Sequence, residues 1–237
     1  GKANENTVTH KATGTGDLTV GHSSDGDAEK NVLQMTGKLT GNVVGGDAVK
    51  GSASNNTLLL HGANITGHVT GGRGVTTNNN VIDLKNTTVG GTLTGGTNGS
   101  GNTVNVRFGV SKIGDFQGIQ NLHFYLENGA SNTSPALLEV QAANKDIRGL
   151  KVGVGVSGFA PSLQVNDVIS LMKVGNTLTM NEPTENHVEA MQALNSKRET
   201  QTSSSPWSRK RRSTTRRNPS WKRETAGQAS STKAPIS

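Results

Sequence analysis

The 237-residue chain has no cysteine. That excludes a disulfide framework and thiol-ligated metals. Aromatic residues make up only 3%, so any interior must be narrow and filled by small or branched side chains. None of the six prolines precedes Pro135, which leaves every backbone N–H upstream free to join a hydrogen-bonded ladder. No apolar run suits a membrane helix or a signal peptide. The chain opens on Gly1 rather than Met, and an internal or truncated piece of a longer protein is the expectation.

What the sequence has instead is a repeat. Stretches starting at Asn31, Asn56, Asn80 and Asn102 each run from the asparagine into alternating apolar residues, and the first three close on Gly45-Gly46, Gly71-Gly72 and Gly95-Gly96. Asn6 opens an earlier copy. A spacing in this range means one structural unit stacked on the next. Leu58 and Leu60, Ile82 and Leu84, and Val104 and Val106 place apolar residues at every second position, which is the period of a strand. Each unit is therefore expected to hold two short strands, with Gly71-Gly72 and Gly95-Gly96 supplying the positive-φ residues of sharp corners.

Two strands per repeat cannot enclose a core alone. Stacking coil on coil, with parallel strands about 4.8 Å apart, buries a continuous apolar column. The predicted fold class is all-β, a right-handed parallel β-helix of roughly 24-residue coils, the hand following from connection rules. A low-complexity Gly/Asn/Thr linker is the alternative, and the matched Val, Leu and Ile positions argue against it.

The net charge of +7 is unevenly spread. Residues 197–237 hold 11 Lys/Arg against 2 Asp/Glu, and residues 1–196 hold 13 against 15. The predicted organisation is β-helix repeats over 1–118, a more apolar β-rich C-terminal cap over 119–181, a linker over 182–196 and a disordered basic tail over 197–237. Within the cap, strands are expected at 122–126, 136–140, 149–156, 163–165, 168–172 and 178–180.

The run from Ile113 to Leu126, then Leu137–Val140, Val152–Val156 and Leu163–Leu171, resembles the C-terminal end of bacterial autotransporter passengers of the type V secretion class. The resemblance covers roughly residues 6–181. It implies a passenger displayed at the cell surface or outer membrane, whose C-terminal segment folds first and templates the coils above it. It also implies a translocator barrel in the full-length protein and unidentified ligands on host or bacterial cells. Nothing after Met180 reads as barrel strands with aromatic girdles. A shifted reading frame starting near Ala193 is expected, and sequencing the encoding DNA tests it.

Catalytic, cofactor and metal sites are not expected. Gly153–Gly158 matches a dinucleotide fingerprint by letters, but Pro161 follows where a helix must begin. His10, His22, His61, His68, His123 and His187 show no ligand spacing beyond the pair His61 and His68. Asp25-Gly26-Asp27 reads as a turn, since the rest of a calcium loop is missing. No nucleophilic serine motif occurs, and repeat-matched positions carry Thr, Gly and Asn rather than the acidic and basic groups of a polysaccharide lyase or hydrolase. Glycan acceptor triplets at Asn55, Asn64, Asn86, Asn98 and Asn132 are what an Asn/Thr-rich composition produces unaided. The rival functional signal is the tail. Arg209, Lys210, Arg211, Arg212, Arg216, Arg217, Lys222 and Arg223, with Trp207 and Trp221, suit non-specific binding of nucleic acid or an anionic membrane.

Overall fold

The computed structural model describes residues 1–127, 130–156 and 168–181. Among these every regular element is a strand. The repeats form about five turns of a parallel β-solenoid. The first coil holds β1 (Thr7–His10), β2 (Gly14–Thr15) and β3 (Leu18–Ser23). The next three hold β4 (Val32–Thr40) and β5 (Val43–Ala48), β6 (Thr57–Ile65) and β7 (Val69–Arg73), then β8 (Val81–Lys85) and β9 (Thr88–Gly96). The fifth holds β10 (Thr103–Arg107) and β11 (Ser111–Gln117).

Each coil has three faces, because its longest strand bends from one face into the next. On the first face Leu33, Leu58, Ile82, Val104 and Leu122 stack in register, and so do Met35, Leu60, Leu84, Val106 and Phe124. The second face stacks Leu39, Ile65, Val89 and Ile113, and the third stacks Leu18, Val43, Val69, Leu93 and Phe116. Most of these side chains are fully buried. The two-residue period sends alternate side chains inward, and the parallel register places like on like.

The opening asparagines form the spine. Asn31, Asn56, Asn80 and Asn102 are completely buried. Each offers Oδ1 to both the backbone N–H and the side-chain amide of the asparagine one coil earlier. Asn31 donates to Asn56 at 3.0 and 2.9 Å, Asn56 to Asn80 at 2.9 and 3.1 Å, and Asn80 to Asn102 at 2.9 and 3.1 Å. Asn6 joins at the N-terminal end. Gln120 closes the other end, its Oε1 accepting the N–H of Asn102 at 2.9 Å. Asn102 Nδ2 is left without a partner among the described residues.

The glycine pairs do not turn corners. Gly45, Gly46, Gly71, Gly72, Gly95 and Gly96 lie inside strands, and none has positive φ. They are glycines because neighbouring coils crowd them, first with a backbone carbonyl or, at Gly96, the Thr77 hydroxyl, and then with the asparagine of the following coil. A Cβ on Gly72 would meet the Asn80 amide at 2.6 Å, and one on Gly96 the Asn102 amide at 2.8 Å. The left-handed positions stand elsewhere. One precedes each ladder asparagine, at Glu5, Lys30, Asn55, Asn79 and Gly101, with φ between 55 and 72°.

The parallel pairing continues past residue 118 into the β-rich C-terminal segment. There β12 (Asn121–Leu126) pairs in parallel with β10, and β15 (Lys151–Val156) with β12. On the second face β13 (Leu138–Val140) and β16 (Met172–Val174) continue β11. β14 (Asn144–Asp146) and β17 (Thr177–Thr179) form a small separate sheet. β14 was not anticipated, since its Asn-Lys-Asp sequence has no apolar alternation. The strand expected at 168–172 starts only at Met172. The strand expected at 163–165, the linker over 182–196 and the basic tail lie outside the described residues.

Replacing Asn56 by Ala strips two donors on Asn31 of their acceptor and leaves Asn80 Oδ1 short of one partner. Unfolding free energy is expected to fall by about 3 kcal/mol or more in urea titration. The exposed Asn64→Ala serves as a control and should stay within about 0.5 kcal/mol. Lys30→Gly acts in the other direction. It relieves a left-handed lysine (φ 55°) whose ion pair with Glu5 is long and exposed. It should raise the same quantity by about 0.5–1 kcal/mol.

Candidate binding face

The outward side of the first face carries the densest group of functional side chains. Counting from each ladder residue, the third position after Asn56, Asn80, Asn102 and Gln120 is Leu59, Asp83, Asn105 and His123, and the fifth is His61, Lys85, Arg107 and Tyr125. The strand register stacks each set into a column. The expectation that repeat-matched positions hold only Thr, Gly and Asn is overturned here. The sixth ladder member is a glutamine, Gln120, which hides the match of His123 and Tyr125 to the earlier coils. Counting from Gln120 as from each asparagine is the signal that finds them.

Asp83 is the centre. It points outward yet is only 2% exposed, because its neighbours fold over it. Arg107 donates from Nε at 2.8 and 3.0 Å and from Nη2 at 2.8 Å, and His61 Nε2 lies 2.8 Å from Oδ1. With these contacts the carboxylate is fully engaged, so its role is to tie three coils together. The Arg107 guanidinium also stands 5.3 Å over the Tyr125 ring, a cation–π contact. Lys85 bonds Glu127 at 3.1 Å on the same face. Beyond Tyr125 and His123 the next strand offers Gly155 and Gly153, and the two rings lean over them. The result is a flat strip of four coils, roughly 14 Å long at the parallel strand spacing, that ends in two half-exposed rings.

A second cluster crosses the third face. Asp47 accepts from Arg73 Nε at 2.9 Å and Nη2 at 2.8 Å, and His22 Nδ1 lies 3.1 Å away. Hydrogen bonds from the Arg73 guanidinium, with a smaller contribution from His22, hold the Asp47 carboxyl below its usual range. Asp17 is lowered by the backbone N–H of Asn42 and then by its amide. Asp27 is lowered by the N–H of Ser52 and then by Lys2.

The remaining histidines are dispersed. His61 faces out from the first face, whereas His68 stands just before β7, where its Nδ1 accepts the N–H of Thr92 at 2.9 Å. His10 Nε2 is buried without a partner among the described residues. Asp25 pairs with Lys50 at 2.7 Å and Asp27 with Lys2 at 3.0 Å, so the Asp-Gly-Asp turn fastens neighbouring segments. Gly153–Val156 is part of β15. Among the described residues no three His, Cys, Asp or Glu side chains gather as metal ligands. His187 and all eight tail residues from Arg209 to Arg223 lie outside the described residues. No family model, no curated protein and no solved structure matches the chain.

Asp17, Asp27 and Asp47 all titrate lower in the fold than in an open chain. Their stabilisation is complete above the unfolded carboxyl pKa of about 3.9 and is lost as pH falls through their folded values. Stability measured against pH should hold level near neutrality and drop below about pH 4. Asp47→Asn should lower the plateau and make that acid drop shallower.

Proposed function

We propose that this chain is a length of stem from a surface-displayed passenger of the autotransporter kind, non-catalytic and adhesive. The observation that carries the reading is the continuous side-chain ladder from Asn6 to Gln120. A stack in which each coil rests only on its neighbours is stiff along its axis. It can also form one coil at a time as a chain emerges through a narrow pore. The cross-coil ion pairs add polar fastening on the outside.

In this reading the first face is the adhesive surface. Arg107 and Tyr125 are the residue types that most often anchor interfaces, and they are held rigidly by the strands beneath. The partner is a ligand on a host or neighbouring cell, and the full-length protein includes an outer-membrane translocator barrel.

The test is display of residues 1–181, fused to a heterologous translocator barrel, on a bacterium that does not itself adhere. Protease shaving should release the solenoid from intact cells, and adherence to host-cell monolayers or autoaggregation should rise above that of the barrel alone. Arg107→Ala with Tyr125→Ala should return it to the baseline while the far-ultraviolet spectrum stays strand-like. Equal adherence with and without the solenoid, at matched surface levels, would sink the adhesive role.

A further inference from the structure

Composition explains why Asn-x-Ser/Thr triplets occur in this chain, but not where they fall. Asn55, Asn64, Asn86, Asn98 and Asn132 are all exposed, whereas the asparagines outside triplets divide between exposed and covered positions. The ladder asparagines are sealed in the core, and the amides of Asn31, Asn56 and Asn80 are each spent on the next asparagine in the ladder. The triplet amides are different. Among the described residues, the amide nitrogens of Asn55, Asn64, Asn86 and Asn132 make no hydrogen bond. That of Asn98 has one long contact, 3.4 Å from the Gly74 carbonyl.

The distribution around the coil is also selective. Asn55 and Asn86 occupy left-handed turn positions, with φ of 58 and 49°. Asn64 lies at the second-face end of β6, and Asn98 and Asn132 lie between strands. Asn105 and Asn121 stand on the first face, and neither opens a triplet. None of the five stands in the two outward columns of the strip from His61 to Tyr125, although Asn86 directly follows Lys85.

From this placement we infer that the five asparagines are acceptors for N-linked sugar. The step requires a glycosyltransferase and an activated donor, a sugar joined through its anomeric carbon to a nucleotide or lipid phosphate. The asparagine Nδ2 bonds to the anomeric carbon. The bond from that carbon to the phosphate oxygen breaks, the phosphate leaves with the electron pair, and one amide proton passes to a base of the transferase. The hydroxyl two residues on is the feature such enzymes read, and here it belongs to Thr57, Thr66, Thr88, Ser100 and Ser134. The attached sugars are bulky and solubilising. The inference rests on the exported-stem reading for its biological purpose but not for its chemistry.

The test is mass spectrometry of the chain recovered from cells that encode it, with the protease-shaved surface fraction and the cell interior analysed separately. Electron-transfer fragmentation is used because Asn55, Asn56 and Asn64 share one tryptic peptide. Sugar-mass additions are expected on Asn55, Asn64, Asn86, Asn98 and Asn132, with Asn56, Asn80 and Asn102 bare. Changing Thr57 to Ala should abolish the addition at Asn55 alone. Bare peptides at all five positions in both fractions would overturn the inference. Glycosylated chain confined to the interior would keep it while removing the export reading. Bare chain at the surface would do the reverse.

Discussion

A buried primary amide has to be satisfied on both its donor and acceptor sides, and in this solenoid most of its hydrogen bonds run to the backbone and amide of the matching asparagine one coil away. That requirement governs everything else. An isolated asparagine in so narrow an apolar column would cost on the order of 1–3 kcal/mol for each stranded group. Stacked, the column becomes a continuous chain of paired groups of the kind that stabilises extended parallel β stacks. Every coil must deliver its asparagine to the same point, whatever its length.

Coil length varies even so, and the corners absorb the variation. The third face pairs residues 26 apart between the second and third coils, as in Gly46 with Gly72. Asn56 and Asn80 are then only 24 apart and Asn80 and Asn102 only 22 apart. The missing residues are lost at the corner before each asparagine, where a left-handed residue makes the final turn. An extra residue is admitted at Gly62, where the register between β4 and β6 shifts. Constraint sits in the spine and tolerance in the turns, which is also where the exposed triplet asparagines are concentrated.

The outside obeys a looser rule. Asp83 and Asp47 each gather a histidine from the preceding coil and an arginine from the following one. Such three-coil clamps, covered carboxylates with partly exposed cations, add to the backbone ladder without replacing it. They fasten two faces, the first through Asp83 and the third through Asp47, and give each a fixed set of charged groups.

The period and the alternation of Val, Leu and Ile were enough, read as sequence, to determine a stacked parallel coil, because side-chain direction along a strand follows from covalent geometry alone. The opening asparagines and the glycine pairs were equally visible, but their relation was not. Whether a glycine serves a turn or makes room for a neighbour depends on what stands over it, and that neighbour comes from another coil. The clamp of His61, Asp83 and Arg107 was hidden for the same reason. Its members are separated by more than twenty residues and meet only after bulges and corner deletions have set the register, a choice made by the packing of whole coils rather than by any local stretch.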